Sequence, residues 1–516
     1  MIRSFLTVSS GTLASRLLGF ARDSLVAALL GAGAVADAFL VAFQLVNVVR
    51  RLLTEGALNA ALVPAYLRIR ETEGAAAAAA FAGRVFGTVS VALMVATVLI
   101  GVLMPLVMTV LAPGFIGTET LRLAVSDARL MLPYLAFAGP VTVLMALMNA
   151  QGRFALSAFS PLLFNVALIA VTIGLLAWRQ DAAFAAMVLA GTVGIAGLMQ
   201  LSILMLRGDG VAAWIRVSFD REMRGFFAKA VPGMIASSGP QLLMVAGAII
   251  ASASPSAVSW LYFANRLIEL PLGLVGVAMG TVLVPELTRA MHGKDRAAIV
   301  HAESRSLELA AGLALPAAFG LFVLSEPIVK MLFEHGAFTA GDSAATARAL
   351  MWLALGLPAH VLFKALAPAF FARENTVTPL ASVLKGVALA TVAAFLLGHF
   401  YGPEGIAAAI SLGAWSSALS LLREGATRFG FSLDIVARKR LPRIAAAALA
   451  MGALLWLAAQ SIAPAVIAGL VQAGILLVLI AGGIALYGLF LQLFGVIGWR
   501  DTVNAIRSAP SRGLHD

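Results

Sequence analysis

Cysteine is absent from the 516 residues, which removes disulfides, thiolate catalysis and cysteine-held metals from consideration. Charge is scarce as well: Asp, Glu, Lys and Arg make up 12% of the chain against 61% hydrophobic residues, with a mean hydropathy of +0.97. Soluble domains carry about a quarter charged residues, and no soluble core can hide this much apolar surface. The chain has no GxxxxGK[ST] loop, so ATP hydrolysis by this chain is not expected. It has no HExxH and no Asp-rich cluster, and its six histidines (292, 301, 335, 360, 399 and 515) are scattered without metal-ligand spacing. Glu334 and His335 adjoin, but they fall in an outer loop without a nucleophile beside them. These absences weigh against an enzyme and point to a transporter with no cofactor. A membrane-embedded glycosyltransferase or polymerase stands as the alternative from a different class.

What the chain does have is apolar runs of about 20 residues or more along its whole length, each able to cross a ~30 Å hydrocarbon layer as a helix. A membrane barrel would need short alternating segments instead. The expected spans are 5–30, 35–66, 81–111, 126–150, 156–178, 182–206 and 226–251, then 257–289, 305–324, 344–371, 379–400, 404–424, 442–460 and 464–494. The fold class is therefore an all-α polytopic membrane protein of about fourteen transmembrane helices. Ser9, Ser10, Thr12 and Arg16 interrupt any signal-peptide core, so the first span is read as retained.

With the N-terminus inside, roughly 23 of the 36 Lys and Arg fall in cytoplasmic segments, while the outer segments hold Arg122, Arg179 and Lys330. The net charge of +11 thus reads as a topology signal and not as a nucleic-acid footprint. Both termini are expected in the cytoplasm. A short repeat, Ala61-Leu62-Val63-Pro64 against Val282-Leu283-Val284-Pro285, and Gly139-Pro140 against Leu357-Pro358, suggests a duplicated six-helix unit. The expected organisation is an N-lobe over 1–220, a C-lobe over 221–430, and two appended helices with a cytoplasmic tail over 431–516.

The residues that carry chemistry are the ionisable ones too deep to reach a loop, since an Arg at mid-span costs about 2.5–3.5 kcal/mol on insertion scales. They are Arg16, Arg22 and Asp23 in the first span, Asp37, Arg50, Arg51 and Glu55 in the second, Arg266 and Glu269 in the eighth, and Lys364 in the tenth. Arg16 and Asp23 share a helix face, and Arg266 and Glu269 are neighbours. Internal ion pairs could account for some of them, but six basic groups face four acidic ones. The surplus of about two positive charges calls for an anion, and arginine's planar fork suits phosphate oxygens. The second span is long and is interrupted at Arg50-Arg51-x-x-x-Glu55-Gly56, which suggests a bent helix beside a wet cavity. Pro140, Pro232, Pro240, Pro271, Pro358 and Pro368 predict kinks, and Gly273, Gly276 and Gly280 predict close helix packing.

The ordered set Ser15-Arg16-Leu17-Leu18-Gly19-Phe20-Ala21-Arg22-Asp23, Gly31-Ala32-Gly33, Asp37-Ala38-Phe39, Asn47-x-x-Arg50-Arg51-x-x-x-Glu55-Gly56 and Val63-Pro64 closely resembles the signature of the MurJ (MviN) lipid II flippases. Trp260-x-Tyr262-x-Ala264-x-Arg266-Leu267-x-Glu269-x-Pro271 and Lys364-x-Leu366-x-Pro368 extend the match to about residue 430. The resemblance implies the fold of the multidrug/oligosaccharidyl-lipid/polysaccharide exporter superfamily and alternating access. It also implies export of the undecaprenyl-pyrophosphate-linked peptidoglycan precursor across the bacterial cytoplasmic (inner) membrane. It assigns Arg16, Arg22, Arg50 and Arg266 to the pyrophosphate and head group, and Asp23, Asp37, Asn47, Arg51, Glu55, Glu269 and Lys364 to the cavity or its gating. It places a groove for the polyprenyl tail on the last two helices. Its partners would be lipid II, membrane lipids and cell-wall synthesis or division proteins. Another polyprenyl-linked oligosaccharide is the alternative cargo. Where relatives are thought to bind sodium, spans seven, eleven and twelve here offer Ser237, Ser238, Gln241, Lys385, Ser411, Ser416 and Ser417 with no Asp or Asn. That departure argues against a sodium site and leaves the membrane potential or another ion gradient to supply the drive.

Overall fold

In hydrocarbon each backbone N–H and C=O must find its partner inside the chain, so long apolar runs become helices. The computed structural model describes residues 2–54, 57–206, 216–278, 289, 295–373, 375–462 and 470–497, with the side chains of 2–10, 12–13, 54, 57–61, 154–158, 229, 277–278, 462 and 470 left aside. The first half forms α1 (Ile2–Leu30), α2 (Ala34–Thr54), α3 (Ala57–Thr72), α4 (Ala75–Val102), α5 (Met104–Leu111), α6 (Glu119–Met131), α7 (Pro133–Ala150), α8 (Phe154–Trp178) and α9 (Ala182–Leu206). The second half forms α10 (Arg221–Ser237), α11 (Gly239–Ala251), α12 (Ala257–Ala278), α13 (Arg296–Val323), α14 (Ser325–Phe333), α15 (Ala340–Ala354), α16 (Leu357–Phe371) and α17 (Val377–Phe429). Helices α18 (Ile435–Ile462) and α19 (Leu470–Leu493) follow, and the described residues contain no strand.

Every expected span is helical over its described residues apart from turns of one or two residues, such as those at Leu103, Leu132, Ser238 and Leu355. Eight helices among the described residues are long and apolar enough to cross a membrane, and two bent pairs, α10 with α11 and α15 with α16, bring the number to ten. One of the eight, α17, is 53 residues long and reverses at Gly402, whose φ of 58° favours glycine. Its two arms pack on each other, with Gly413 against Ala390 and Gly405 against Leu397, so it supplies two spans. The remaining expected spans, α1, α2 with α3, and α12, are those that carry the deep charges other than Lys364, which lies on α16.

Helices α1 to α9 pack mainly on one another, as α1 on α8, α2 on α6 and α7 on α9. Helices α10 to α17 form a second bundle, with α11 on α17 and α13 on α16. Few pairs cross between them, chiefly α12 with α1 and α2, and α10 with α3. Helix α18 docks on α13, and Tyr487 of α19 donates to the Gly312 carbonyl of α13 at 2.9 Å. Side chains such as Val98 and Val102 on α4, and Val478 and Ile484 on α19, are exposed and face the lipid.

The breaks repeat between the bundles. One helix ends and the next begins at Leu103 and again at Leu324, 221 positions later, which is the offset between Pro64 and Pro285. Residues 282–285 themselves lie outside the described residues. Two of the expected kink prolines act differently. Pro240 and Pro358 sit in the first turns of α11 and α16, where a missing N–H costs nothing, and the chain bends just before them, by 60° and 41°.

Candidate functional site

Between the bundles lies a cavity of about 570 Å³. Its walls come from α1, α2, α7, α8, α9, the α10–α11 bend, α12 and α16, and they carry Arg16, Arg22, Arg50, Arg51, Arg266 and Lys364. The structure thus gathers the six deep cations of the sequence into one chamber. Each projects from a helix whose other faces are apolar, so the chamber is where they avoid lipid.

The carboxylates are unevenly placed. Asp23, 2% exposed, lies behind the wall. Its Oδ1 accepts from Arg22 Nε at 2.9 Å and Nη2 at 2.6 Å, and its Oδ2 pairs with Arg266 Nε at 2.5 Å. Glu269 Oε2 accepts from Arg51 Nη2 at 2.6 Å and from Arg266 Nη1 at 2.7 Å, while Oε1 accepts from Asn265 at 3.2 Å. Since Arg22, Asp23 and Arg51 belong to the first bundle and Arg266 and Glu269 to the second, this chain of ion pairs spans the interface. Arg16 does not meet Asp23 despite sharing its helix face. It donates through Nη1 to the Glu269 carbonyl at 3.3 Å, its Nε is buried without a partner, and no carboxylate among the described residues pairs with it.

Neutral groups complete the arrangement. Arg22 Nη1 donates to Asn165 Oδ1 at 3.0 Å, and the guanidinium lies 5.0 Å from the Phe43 ring and 5.6 Å from the Phe164 ring. Arg50 Nη2 donates to Asn47 Oδ1 at 3.1 Å, one turn back on α2. Gln241, oriented to satisfy both ends of its amide, accepts from Arg51 Nη1 at 2.7 Å. Asn165, Asn265, Gln241 and Tyr262 all line the cavity, and none was among the expected binding or gating residues, although Gln241 and Tyr262 fall in segments the sequence singled out. A lone amide inside an apolar run, as at Asn165, was the available signal.

Two glycines prove to be part of the site. A Cβ on Gly273 would lie 2.0 Å from Arg16 Nη1, and one on Gly19 would lie 2.4 Å from Arg266 Nη2. Gly273 therefore makes room for an arginine as well as for helix contact. Gly276 faces Lys364, its Cβ position 3.4 Å from Nζ, and Gly280 lies outside the described residues.

Asp37 stands apart from the cavity. It accepts from Ser256 N at 2.9 Å, Ser259 N at 2.9 Å and Ser259 Oγ at 2.5 Å, joining the start of α2 to the start of α12. At the same end of the molecule Ala337 N donates to Ala28 O at 2.8 Å, Ser24 Oγ donates to the Leu332 carbonyl, and Gly114 N donates to Ser252 Oγ at 2.9 Å. That end is sealed. Glu55 lies outside the described residues. With Asp37 elsewhere, the six cations at the chamber meet Asp23 and Glu269 among the described carboxylates, and positive charge remains in excess there.

A two-bundle helical membrane protein with a sealed end and a cationic central chamber is a transporter of anionic cargo. A family model described as lipid II flippase MurJ matches residues 26–475. A probable lipid II flippase MurJ of Rhizobium meliloti (strain 1021) is 37% identical over 99% of this chain and 97% of its own length. The lipid II flippase MurJ of Burkholderia cenocepacia is 33% identical over 82% of this chain and 83% of its own. Among solved structures, a lipid II flippase MurJ in an inward closed conformation superposes with a TM-score of 0.77 at 23% identity, covering 96% of this chain and 100% of that one. An inward-facing multidrug resistance MATE family transporter of the MOP superfamily gives 0.66 at 14% identity over 83% and 98%, and both show the shared fold. The chain belongs to the MurJ family of lipid II flippases, and its function is the transfer of lipid II across the membrane for peptidoglycan synthesis.

Proposed function

We propose that the chamber takes the lipid II pyrophosphate from the inner leaflet of the bacterial cytoplasmic membrane and delivers it outward by alternating access, with both termini in the cytoplasm. Residues 1–220 and 221–430 are the rocking lobes, and α18 and α19 flank the path of the polyprenyl tail. The carrying observation is the cationic surplus in a cavity crossed by the Arg51–Glu269–Arg266–Asp23 ion pairs. Arg16, Arg22, Arg50 and Arg266 contact the pyrophosphate, and Arg51 and Lys364 add to the field.

A doubly charged guest competes with Glu269 for Arg51 and Arg266. Binding therefore loosens the bridge between the lobes, and release restores it, so cargo and conformation are coupled through differential contacts. The cavity's 570 Å³ sits within the range of drug-sized sites, about 300–1,000 Å³. A disaccharide with its peptide is larger, so this conformation encloses only part of the head group. Neither nucleotide nor bound cofactor is required in this scheme. An inside-negative potential favours outward movement of an anion by about 2.3 kcal/mol per charge per 100 mV.

The decisive experiment is replacement of Arg16 or Arg266 by Ala in cells depleted of their own flippase. The expected result is loss of growth with normal amounts of the variant in the membrane, and loss of lipid II transfer in proteoliposomes. Normal growth and transfer would overturn the assignment.

A further inference from the structure

A side chamber of about 170 Å³ opens off the central cavity within the second bundle. The two spaces share Ser237, Pro240, His360 and Lys364, so these residues mark the mouth. His360 and Lys364 lie one turn apart on α16, and Lys364 places an ammonium at that opening. Further in, the walls are Leu243, Phe363, Ala367, Phe371, Val383 and Ala414. Ser417, the one polar side chain there among the described residues, spends its hydroxyl on the Gly413 carbonyl at 3.0 Å. No carboxylate among the described residues lines the chamber. The sequence reading placed Lys364 with the cavity but gave it no separate task.

A small apolar pocket with an ammonium at its entrance selects for a particular chemistry. A sugar ring would bury hydroxyls against walls that offer no partner, which costs several kcal/mol per group in apolar surroundings. A polyprenyl tail would have to cross the cationic cavity to arrive. A pyrophosphate finds far more donors among the arginines. A peptide end with small aliphatic side chains and a free carboxylate satisfies both features, since its methyl groups suit the interior and its charge suits the mouth.

We propose that this side chamber holds the free end of the lipid II peptide, with the terminal carboxylate on Lys364 and the last small side chains inside. The inference rests on lipid II as the cargo. It makes Lys364 a specificity determinant, separate from the arginines that hold the pyrophosphate at the other end of the head group.

The test is binding of three lipid II forms to the purified protein in lipid nanodiscs: the complete peptide, the same peptide with its terminal carboxylate amidated, and a peptide lacking its last two residues. The native protein should bind the complete form about tenfold more tightly than either altered form, the effect of one charge-assisted contact. Lys364→Met should bind all three alike at the weaker level, Lys364→Arg should keep the preference, and Ala414→Leu, which fills the chamber, should abolish it. Because the ligand series is read on the native protein, the test stands even where a variant fails to fold. Equal binding of all three forms, with Arg266→Ala still abolishing binding, would overturn the side-chamber assignment and leave the flippase reading intact. Failure of the native protein to bind any form would overturn the reading on which the inference rests.

Discussion

Gly273 and Gly19 show how a residue without a side chain can decide where a charge sits. Each lies against a guanidinium that must stay in a low-dielectric chamber, and each leaves too little room for a methyl group. Replacing Gly273 by Ala should displace Arg16 from the Glu269 carbonyl and cost on the order of ten- to a hundredfold in lipid II transfer, the value of a charge-assisted contact. Gly276→Ala is the control, because its Cβ would meet Lys364 Nζ at 3.4 Å, an ordinary contact. Transfer rates in proteoliposomes measure both, and equal rates for the two variants would remove the role given to Gly273. The expected pairs Arg22 with Asp23 and Arg266 with Glu269 are present, but each carboxylate also serves a second arginine from another helix. Removing one carboxylate therefore takes an ion-pair partner from two arginines at once, although Arg266 keeps the other carboxylate, and breaking a buried pair is destabilising by about 3–5 kcal/mol.

At the scale of the element, the start of α12 and the start of α10 hold the two bundles together at opposite ends. Asp37 satisfies the Ser256 and Ser259 N–H groups where the α12 dipole is positive, a favourable site for a carboxylate. Asp37→Ala should leave those donors unmatched and shift the protein toward a state open at this end. Increased labelling of a cysteine placed at Ser256 would register the shift, and unchanged labelling would contradict it. At the other end, the segment before α10 lies on α4: Thr88 Oγ1 and Ser218 bond reciprocally, and Arg84 pairs with Asp220 at 3.0 Å and Glu222 at 2.8 Å. The Met223 N–H, followed by the Ser218 hydroxyl, holds the Asp220 carboxyl below its ordinary range. A lowered folded-state pKa means the contribution is present above the unfolded value and is lost as pH falls through the folded one. The latch should thus persist through neutral and mildly acidic pH and release only below the usual carboxylate range. Arg84→Ala should raise hydrogen exchange at the start of α10 at neutral pH, and no change would show that the pairs hold nothing.

For the whole molecule, an anionic cargo that crosses with its charge should make transport responsive to voltage. In proteoliposomes an inside-negative potential should accelerate outward transfer of lipid II, reversal of the potential should slow it, and indifference to voltage would count against an anionic cargo moving with its charge. Much of this architecture was legible in the sequence. Bilayer thickness fixes span length, so the spans and the deep cations could be read from residue order, whereas the break at Leu103 falls inside what reads as one apolar run. What was hidden was partnership. Arg16 and Asp23 share a face of α1, yet they take partners on α12, and Asp37 counts as a cavity acid only until α12 is seen to begin beside it. The sequence by itself determined that this chain spans a membrane many times and buries a surplus of positive charge, because hydropathy and charge are properties of composition and spacing. Only the tertiary structure decided which arginine meets which carboxylate, which end is sealed and where a side chamber opens, because those depend on how helices far apart in the chain face one another.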